Sequence, residues 1–220
     1  MTRRWNGSIA DAGPVRFPST RMFFPALVAL GVLSFALACD PWGVMHLQLP
    51  HGSRTREIAG FLSRWMDWPW VFAVLGAGAL VSQFRGDRGS RRFYLALLLA
   101  AGIAGGSATL IRSVTGRTRP SATVTQGWYG LRSEGRWLIG VRDYNAFPSG
   151  HTATLAGIAA LLVVRRHRAA PVGVSLTALV AWTRISVGAH RISDVVASDV
   201  LAAVVVSWSE ARFPGFRALR

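Results

Sequence analysis

Three short motifs at the ends of apolar segments carry most of the residues in this chain that could do chemistry. They read Arg112-x6-Arg119-Pro120, Pro148-Ser149-Gly150-His151 and Thr183-Arg184-x5-His190-x3-Asp194. Arginine forks bind phosphate oxygens in bidentate geometry. A histidine with a carboxylate partner can be a nucleophile or a base, and a second histidine can be a general acid. Together these residue types could remove a phosphate group without a metal ion.

The second and third motifs each suggest a local arrangement. Ser149 is a good N-cap for the apolar run that follows, and Gly150 allows backbone N–H groups to approach an anion closely. The positive end of that helix would then point at phosphate. His190 and Asp194 are one helical turn apart, so Asp194 can hold the Nδ1 proton and leave Nε2 free to attack.

Each motif taken alone also has a simpler interpretation. Arg112 and Arg119 could be juxtamembrane arginines whose side chains reach the interface. Gly116 and Pro120 argue against one continuous helix through both arginines. The second motif could be only a capped helix, and His190 with Asp194 could be only a capping pair.

The three motifs together resemble those of the type 2 phosphatidic acid phosphatase superfamily of membrane lipid phosphatases. That family's pattern is Lys-x6-Arg-Pro, Pro-Ser-Gly-His and Ser-Arg-x5-His-x3-Asp, and this chain keeps the order and every internal spacing. Arg112 stands where the family usually has Lys, and Thr183 where it usually has Ser. The chain contains no Lys at all, so the first change follows a bias of the whole sequence. The resemblance covers roughly residues 70–208.

The resemblance implies a fold, an activity and a role for each motif residue. The implied fold is an all-α membrane bundle of six spans, and the implied reaction is hydrolysis of a lipid phosphate or lipid pyrophosphate through a phosphohistidine. His190 would be the nucleophile, Asp194 its partner and His151 the general acid. The phosphate oxygens would be held by Arg112, Arg119, Ser149, Gly150 and Arg184.

Composition supports a membrane protein of one domain. Of the 220 residues 51% are hydrophobic, and the formal net charge is +15. So much apolar sequence is unusual for a small soluble domain. A charge of +15 is also compatible with nucleic acid, but the arginines lie at segment ends, so we expect membrane lipids and no nucleic acid as partners.

Apolar runs define the expected spans and their surroundings. Residues 1–20 are predicted to be a flexible cytoplasmic tail, and residues 21–220 to form the membrane phosphatase domain. An amphipathic stripe predicts an interfacial helix at about 53–67, after a loop from Asp40 to Pro50. The spans are predicted at Met22–Cys39, Trp68–Phe84, Phe93–Ile111, Ser149–Val164, Pro171–Val187 and Ser193–Trp208.

Arginine-rich segments predict the orientation. Residues 3–21, 85–92, 165–168 and 212–220 share one side in a six-span topology, and the positive-inside rule makes that side the cytoplasm. Both termini would then be cytoplasmic, and the motifs would face the exterior of a bacterial inner membrane. The six arginines between Arg112 and Arg142 oppose the rule, unless some of them bind an anion.

Several alternatives and isolated residues remain open at this level. Besides hydrolysis, the same site could transfer phosphate to another lipid or only bind an anionic lipid; a vanadium haloperoxidase has a similar pocket but is soluble and large. The outer segments lack the ligand spacing of a metal site, so we predict metal independence and no cofactor. Cys39 is expected near the end of the first span. Asp199 falls within the last span, where a charge is costly. Neither the lipid nor the oligomeric state follows from the sequence.

Overall fold

Apolar helices make up most of the computed structural model, which describes residues 23–219. The predicted cytoplasmic tail, residues 1–20, therefore lies outside the described residues. Within the described part there are eight helices and one two-stranded hairpin. The helices are α1 Phe23–His46, α2 Arg54–Trp65, α3 Trp68–Phe84, α4 Arg88–Thr115, α5 Gly150–Val164, α6 Ala170–Ser186, α7 Ile192–Arg212 and α8 Pro214–Arg217.

Six of these helices form the predicted all-α membrane bundle. By length and composition α1, α4 and α7 can each cross a membrane, and α3 and α5 are shorter apolar helices. The remaining long helix, α6, packs against α5. The fold class predicted from sequence is confirmed.

The first span continues beyond its predicted end, so the predicted loop from Asp40 to Pro50 is wrong over its first half. Helix α1 runs to His46 and contains Pro41. The extension packs on the start of α7, since a Cβ added to Gly43 would lie 2.6 Å from Cδ1 of Ile192. Asp40 is buried in the same contact. Contacts with α7 therefore keep this segment helical, although the local sequence predicts that the helix ends before it.

Helix α4 is also longer than predicted, at both ends. Its N-cap is Asp87, whose carboxylate accepts a hydrogen bond of 3.0 Å from the backbone N–H of Ser90. It ends at Thr115, and Gly116 follows in the left-handed conformation with φ of 58°. Glycine adopts that conformation without strain and commonly follows a helix. Arg112 therefore lies in the last turn of α4, and Arg119 lies in the loop beyond it.

The segment predicted as an interfacial helix, about 53–67, contains α2, which is capped by Ser53 and packs on α6. Its large apolar side chains Ile58, Phe61 and Trp65 are exposed, whereas Ala59 and Ser63 are buried. Arg56 ties its start to the end of α6, donating to the carbonyls of Ser186 (3.3 Å) and Val187 (2.6 Å). The helix therefore lies across one end of the bundle.

Small residues let α4, α5 and α7 approach closely at the centre of the bundle. The buried core there includes a line of alanines on α4 together with Ala156 and Ala202. On α5, Gly157 lies against the backbone of α4: an added Cβ would be 2.5 Å from the carbonyl oxygen of Ala100. Close approach through small residues is the usual basis of helix packing in membranes.

The connection from α4 to α5 is the longest outside the helices. It holds an antiparallel hairpin of β1 Arg132–Ser133 and β2 Arg136–Trp137, and a 3₁₀ turn at Arg142–Tyr144. The carbonyl of Gly188 accepts a hydrogen bond from the N–H of Ser121, which links this connection to the end of α6. The connection therefore folds back over the bundle end where the motifs lie.

Replacing Gly157 by Ala should destabilise the bundle, because the new methyl group would collide with the backbone of α4. The expected cost is about 1–3 kcal/mol, measured as a lower midpoint of thermal unfolding in detergent. The control is Gly76→Ala on α3, where an added Cβ meets nothing within 4 Å. That variant should unfold at or above the wild-type midpoint. Equal midpoints for the two variants would contradict the close α4–α5 contact.

Candidate active site

All three motifs meet at one end of the bundle. They occupy the end of α4, the start of α5, the end of α6 and the start of α7. A backbone hydrogen bond joins the second and third motifs: the N–H of Ser149 donates to the carbonyl of Asp194 at 3.1 Å. Within the third motif, the N–H of His190 donates to the carbonyl of Arg184 at 3.2 Å. The hydroxyl of Ser198 then donates to the carbonyl of Ser149 at 2.8 Å. The start of α5 is thereby fixed against the start of α7.

The three motif arginines each have a different anchor. Arg112 lies against Gly150, where an added Cβ would be 3.0 Å from its Nη1. Arg119 donates from Nε and Nη2 to the side-chain oxygen of Asn145, at 3.3 and 2.9 Å. Arg184 donates from Nη1 to the hydroxyl of Ser63 on α2, at 2.8 Å. None of these partners carries a negative charge, so the contacts orient the guanidinium groups without neutralising them.

Positive charge therefore accumulates at this site. The pKa of Arg119 falls to about 10, first because the group is buried and then because Arg142 and Arg112 lie nearby. The buried Nε of Arg184 has no hydrogen-bond partner among the described residues. A buried donor without a partner is costly, and an anion with several oxygens would satisfy such donors. The arrangement fits a phosphate-sized anion.

His190 is buried with one ring nitrogen held and the other free. Its Nδ1 lies 2.8 Å from the carbonyl oxygen of Ala146, so Nδ1 carries the proton. Its Nε2 is buried and has no partner in the described part of the chain. Burial lowers the pKa of His190 to about 4 against the opposing effect of Asp194, and the charges of Arg184 and Arg119 add to the lowering. The ring is therefore neutral at ordinary pH, with an unprotonated Nε2.

Asp194 makes different contacts from those its spacing suggests. Its Oδ2 is 3.6 Å from Nδ1 of His190, beyond hydrogen-bond distance, and the carbonyl of Ala146 takes that place. The carboxylate accepts instead from the backbone N–H of Arg191 at 2.8 Å and from Arg117 at 2.5 Å. Asp194 thus caps α7 and remains a nearby negative charge for the imidazole.

The start of α5 offers free backbone donors. Ser149 occupies the N-cap position, but its side chain makes no capping hydrogen bond and instead accepts from the hydroxyl of Thr152 at 3.1 Å. The N–H groups of Gly150 and His151 have no acceptor within the described residues. Together with the positive end of the helix, such groups favour an anion.

An apolar groove of about 710 Å³ leads along the bundle to the second motif. Its walls come from α3, α4 and α5, and an added Cβ on Gly106 would meet nothing within 4 Å, which keeps the groove open. The polar end of the groove is formed by Asp67, Arg112, Gly150 and His151. The groove thus joins an apolar channel to the charged residues of the site.

Sequence reasoning missed a buried ion-pair network beside the motifs. Arg117 donates to Asp194 at 2.5 Å and to Asp40 of α1 at 2.5 Å, and its guanidinium stacks 4.5 Å from the ring centre of Trp128. The hydroxyl of Ser193 donates to Asp40 at 2.6 Å. Apart from its position within the first motif, Arg117 gives no sequence signal, because its partners come from distant segments.

Two further acidic or basic residues have clear positions. Arg191 donates to the carbonyl of Thr118 at 2.6 Å and to the side chain of Gln126, so it braces the connecting loop. Asp199 lies on α7 with an exposed side chain and makes no hydrogen bond to any described residue. No group of three or more His, Cys, Asp or Glu in residues 23–219 is arranged to hold a metal ion.

Comparison with known proteins identifies similar sequences and folds. The sequence pattern of the PAP2 superfamily matches residues 93–216. The fold resembles the crystal structure of the first transmembrane PAP2 type phosphatidylglycerolphosphate phosphatase from Bacillus subtilis. The TM-score is 0.54 at 16% identity, over 87% of this chain and 94% of that one. No curated protein matches the chain.

Replacing Arg117 by Gln should destabilise the protein strongly, because it leaves two buried carboxylates without their shared cation. Breaking a buried pair in this way costs about 3–5 kcal/mol, measured by thermal unfolding in detergent. Adding Asp40→Asn to this variant should restore part of the loss, since one unpaired charge is removed. The matched control is Arg136→Gln in the exposed hairpin, which should unfold like the wild type. An Arg117→Gln protein as stable as that control would contradict the network.

Proposed function

The chain belongs to the PAP2 superfamily, and we propose that it hydrolyses the phosphate monoester or pyrophosphate of a membrane lipid through a phosphohistidine. It is a multi-pass membrane protein, and its phosphatase site lies at one end of the helix bundle. The observation that carries the proposal is the buried, unpartnered Nε2 of His190 beside an accumulation of arginine charge. A neutral imidazole with a free nitrogen is a nucleophile, and an electrophilic phosphorus is the group that the arginines would hold there.

In the proposed binding mode, the arginines and the start of α5 hold the phosphate oxygens. Arg112, Arg119 and Arg184 donate from their guanidinium groups, and Ser149 and Gly150 offer the helix start. Charge that develops on the oxygens in the transition state is then met by fixed donors, and such electrostatic stabilisation commonly contributes more to catalysis than any other effect. Arginine charge can serve where other phosphatases use a metal ion, so the reaction is proposed to be metal-independent.

The first chemical step forms the phosphohistidine. Nε2 of His190 attacks phosphorus, and the bond from phosphorus to the leaving oxygen breaks. His151 donates a proton to that oxygen. The carbonyl of Ala146 keeps the Nδ1 proton in place, and the Asp194 carboxylate at 3.6 Å stabilises the positive charge that forms on the ring.

The second step releases phosphate and restores the enzyme. His151, now neutral, takes a proton from water, and the water oxygen attacks phosphorus. The bond between phosphorus and Nε2 of His190 breaks, which returns the neutral imidazole. A second lipid in place of water would give phosphotransfer instead, and the acceptor is therefore a property to measure.

The apolar groove supports a lipid as the substrate. A channel of about 710 Å³ through the membrane-spanning part of the bundle reaches Arg112, Gly150 and His151. An acyl or polyprenyl chain could lie in that groove while its phosphate enters the cluster of arginines. Undecaprenyl pyrophosphate, phosphatidylglycerol phosphate, phosphatidic acid and a lipid A phosphate all have this combination of parts.

We further propose that the site faces the exterior of a bacterial inner membrane, with both termini in the cytoplasm. The arginine-rich turns between α3 and α4 and between α5 and α6 lie at the end of the bundle opposite the motifs. Lys and Arg are enriched in cytoplasmic loops. The anion-binding role of Arg112, Arg119 and Arg184 explains part of the positive charge on the other side.

Phosphate release from the four lipids named above, by purified protein in detergent with excess chelator, tests the proposed reaction. At least one lipid should be hydrolysed, and His190→Ala should abolish release from it and from p-nitrophenyl phosphate. His151→Ala should keep relatively more activity on p-nitrophenyl phosphate, whose leaving group needs little protonation. Quenching during turnover with alkaline denaturant should trap a phosphoryl group on His190, and later acid treatment should release it.

The same assay separates the alternatives. Binding of a lipid without phosphate release would leave only an anion-binding protein. Phosphate that appears on an added lipid alcohol would indicate transfer. A loss of activity in chelator that magnesium or zinc restores would contradict the metal-independent mechanism, and an adduct on His151 would reverse the two histidine roles.

Cysteine labelling in intact cells tests the proposed orientation. A cysteine at Ser121, in the connection beside the site, should react with a membrane-impermeant maleimide. A cysteine at Ser90, at the start of α4, should react only after the cells are permeabilised. Cys39 is the single native cysteine and is replaced by Ser in both variants. Labelling of position 90 but not 121 would reverse the orientation.

A further inference from the structure

Asp67 is a carboxylate at the site that the motifs do not include. It lies between α2 and α3, and its Oδ1 is 3.1 Å from Nε2 of His151. The same oxygen accepts a hydrogen bond of 2.7 Å from the backbone N–H of Trp68, and Asp67 is the N-cap of α3. The capping hydrogen bond therefore fixes the position of the Asp67 side chain beside the histidine.

This contact fixes which nitrogen of His151 remains available. With Nε2 facing the Asp67 carboxylate at 3.1 Å, Nδ1 lies on the other side of the ring, and it makes no hydrogen bond to any residue between 23 and 219. His151 stands in the first turn of α5, next to Gly150 and its free backbone donors. Nδ1 is thus the nitrogen left to meet a bound phosphate ester.

Asp67 is also the negative charge that faces His151. The other charged groups around the ring are Arg112 from α4 and Arg184 from α6, both positive. Burial acts to raise the pKa of Asp67, but the hydrogen bond and charge of His151, the N–H of Trp68 and the charge of Arg184 together bring it below its usual value. The carboxylate is therefore ionised, and it offsets arginine charge that would oppose a proton on His151.

We propose that Asp67 is a positioning residue for His151: it holds the Nε2 proton, turns Nδ1 towards the phosphate and favours the proton-bearing ring that a general acid requires. This inference rests on the function proposed above. It makes Asp67 and His151 a second histidine–carboxylate pair in the site, supplied by a helix start outside the three motifs.

The proposed step keeps every proton accounted for. The proton on Nδ1 moves to the leaving lipid oxygen as its bond to phosphorus breaks, and the Nε2 proton stays in the hydrogen bond to Asp67. His151 is then neutral with an unprotonated Nδ1. That nitrogen takes the proton of the attacking water in the second step, which restores the starting state.

If Asp67 served only as a helix cap, it would not influence His151. Asp87 is a second capping aspartate with which this possibility can be compared. Asp87 caps α4 at the other end of the bundle, accepting from Ser90 at 3.0 Å, and contacts no histidine. Asn caps a helix about as well as Asp. Asp67→Asn therefore keeps the cap and removes the charge, and Asp87→Asn does the same at a position far from the site.

The kinetic test compares these two variants with the wild type on the lipid that is hydrolysed and on p-nitrophenyl phosphate. Asp67→Asn should lower kcat on the lipid about 10-fold or more, with a smaller loss on the aryl ester and little change in KM. The alkaline limb of its kcat profile should move to lower pH, because the acid loses its supporting charge. Asp87→Asn should match the wild type in all of these. A uniform loss on both substrates without a pH shift would overturn the proposal.

A second measurement does not require activity. In protein labelled with ¹⁵N-histidine, with the His151 signal assigned by its absence in His151→Gln, the neutral ring should carry its proton on Nε2. Asp67→Ala should lose that preference. If the wild type releases no phosphate from any lipid, the proposed function fails. The tautomer of His151 then remains as an independent test of its pairing with Asp67. An unchanged tautomer in Asp67→Ala would overturn the role of Asp67 even in an active enzyme.

Discussion

One buried cation, Arg117, holds together the segments on which the site depends. It is shared by Asp40 of α1 and Asp194 of α7 and lies against Trp128 of the connecting loop. Removing Arg117 would leave two buried carboxylates without their shared cation, which is strongly destabilising. The network therefore fixes the start of α7, and with it His190, relative to the first helix and the loop. The geometry of the proposed active site rests on a residue that touches no proposed substrate atom.

The arginines on the two sides of Asp194 differ in whether their charge is compensated. On one side Arg117 is fully paired with carboxylates, and the network is complete without a ligand. On the other side Arg119 and Arg184 are held by the neutral groups of Asn145 and Ser63, so their charge is oriented but not cancelled. Neutral anchors leave charge available to an anion and cost less reorganisation when it binds. This contrast separates structural arginines from the arginines proposed to bind phosphate.

The sequence predicted the helices well and the contacts of the site only in part. Apolar length locates the spans, because that signal is local. The end of α1 and the partner of Nδ1 of His190 were not predictable, because both depend on residues distant in sequence, Ile192 and Ala146. A spacing of four residues brings Asp194 near His190, but the network with Arg117 turns its carboxylate away. Local periodicity predicts proximity, whereas competition among partners decides the hydrogen bond.

The surroundings of the two histidines suit opposite tasks, and neither could be assigned from motif spacing alone. His190 donates a hydrogen bond from Nδ1 to a neutral carbonyl and is fully buried, so its pKa falls to about 4 and the ring stays neutral, as the proposed nucleophile requires. His151 is mostly buried, and burial and the charges of Arg184 and Arg112 oppose a proton on its ring. The ionised carboxylate of Asp67, 3.1 Å away, favours one. Environments that differ in this way are how one site separates a nucleophile from an acid. The sequence spacing pairs the carboxylate of Asp194 with His190. In the structure the shorter contact, 3.1 Å against 3.6 Å, is between Asp67 and His151, the residue that the proposed reaction uses as a proton donor.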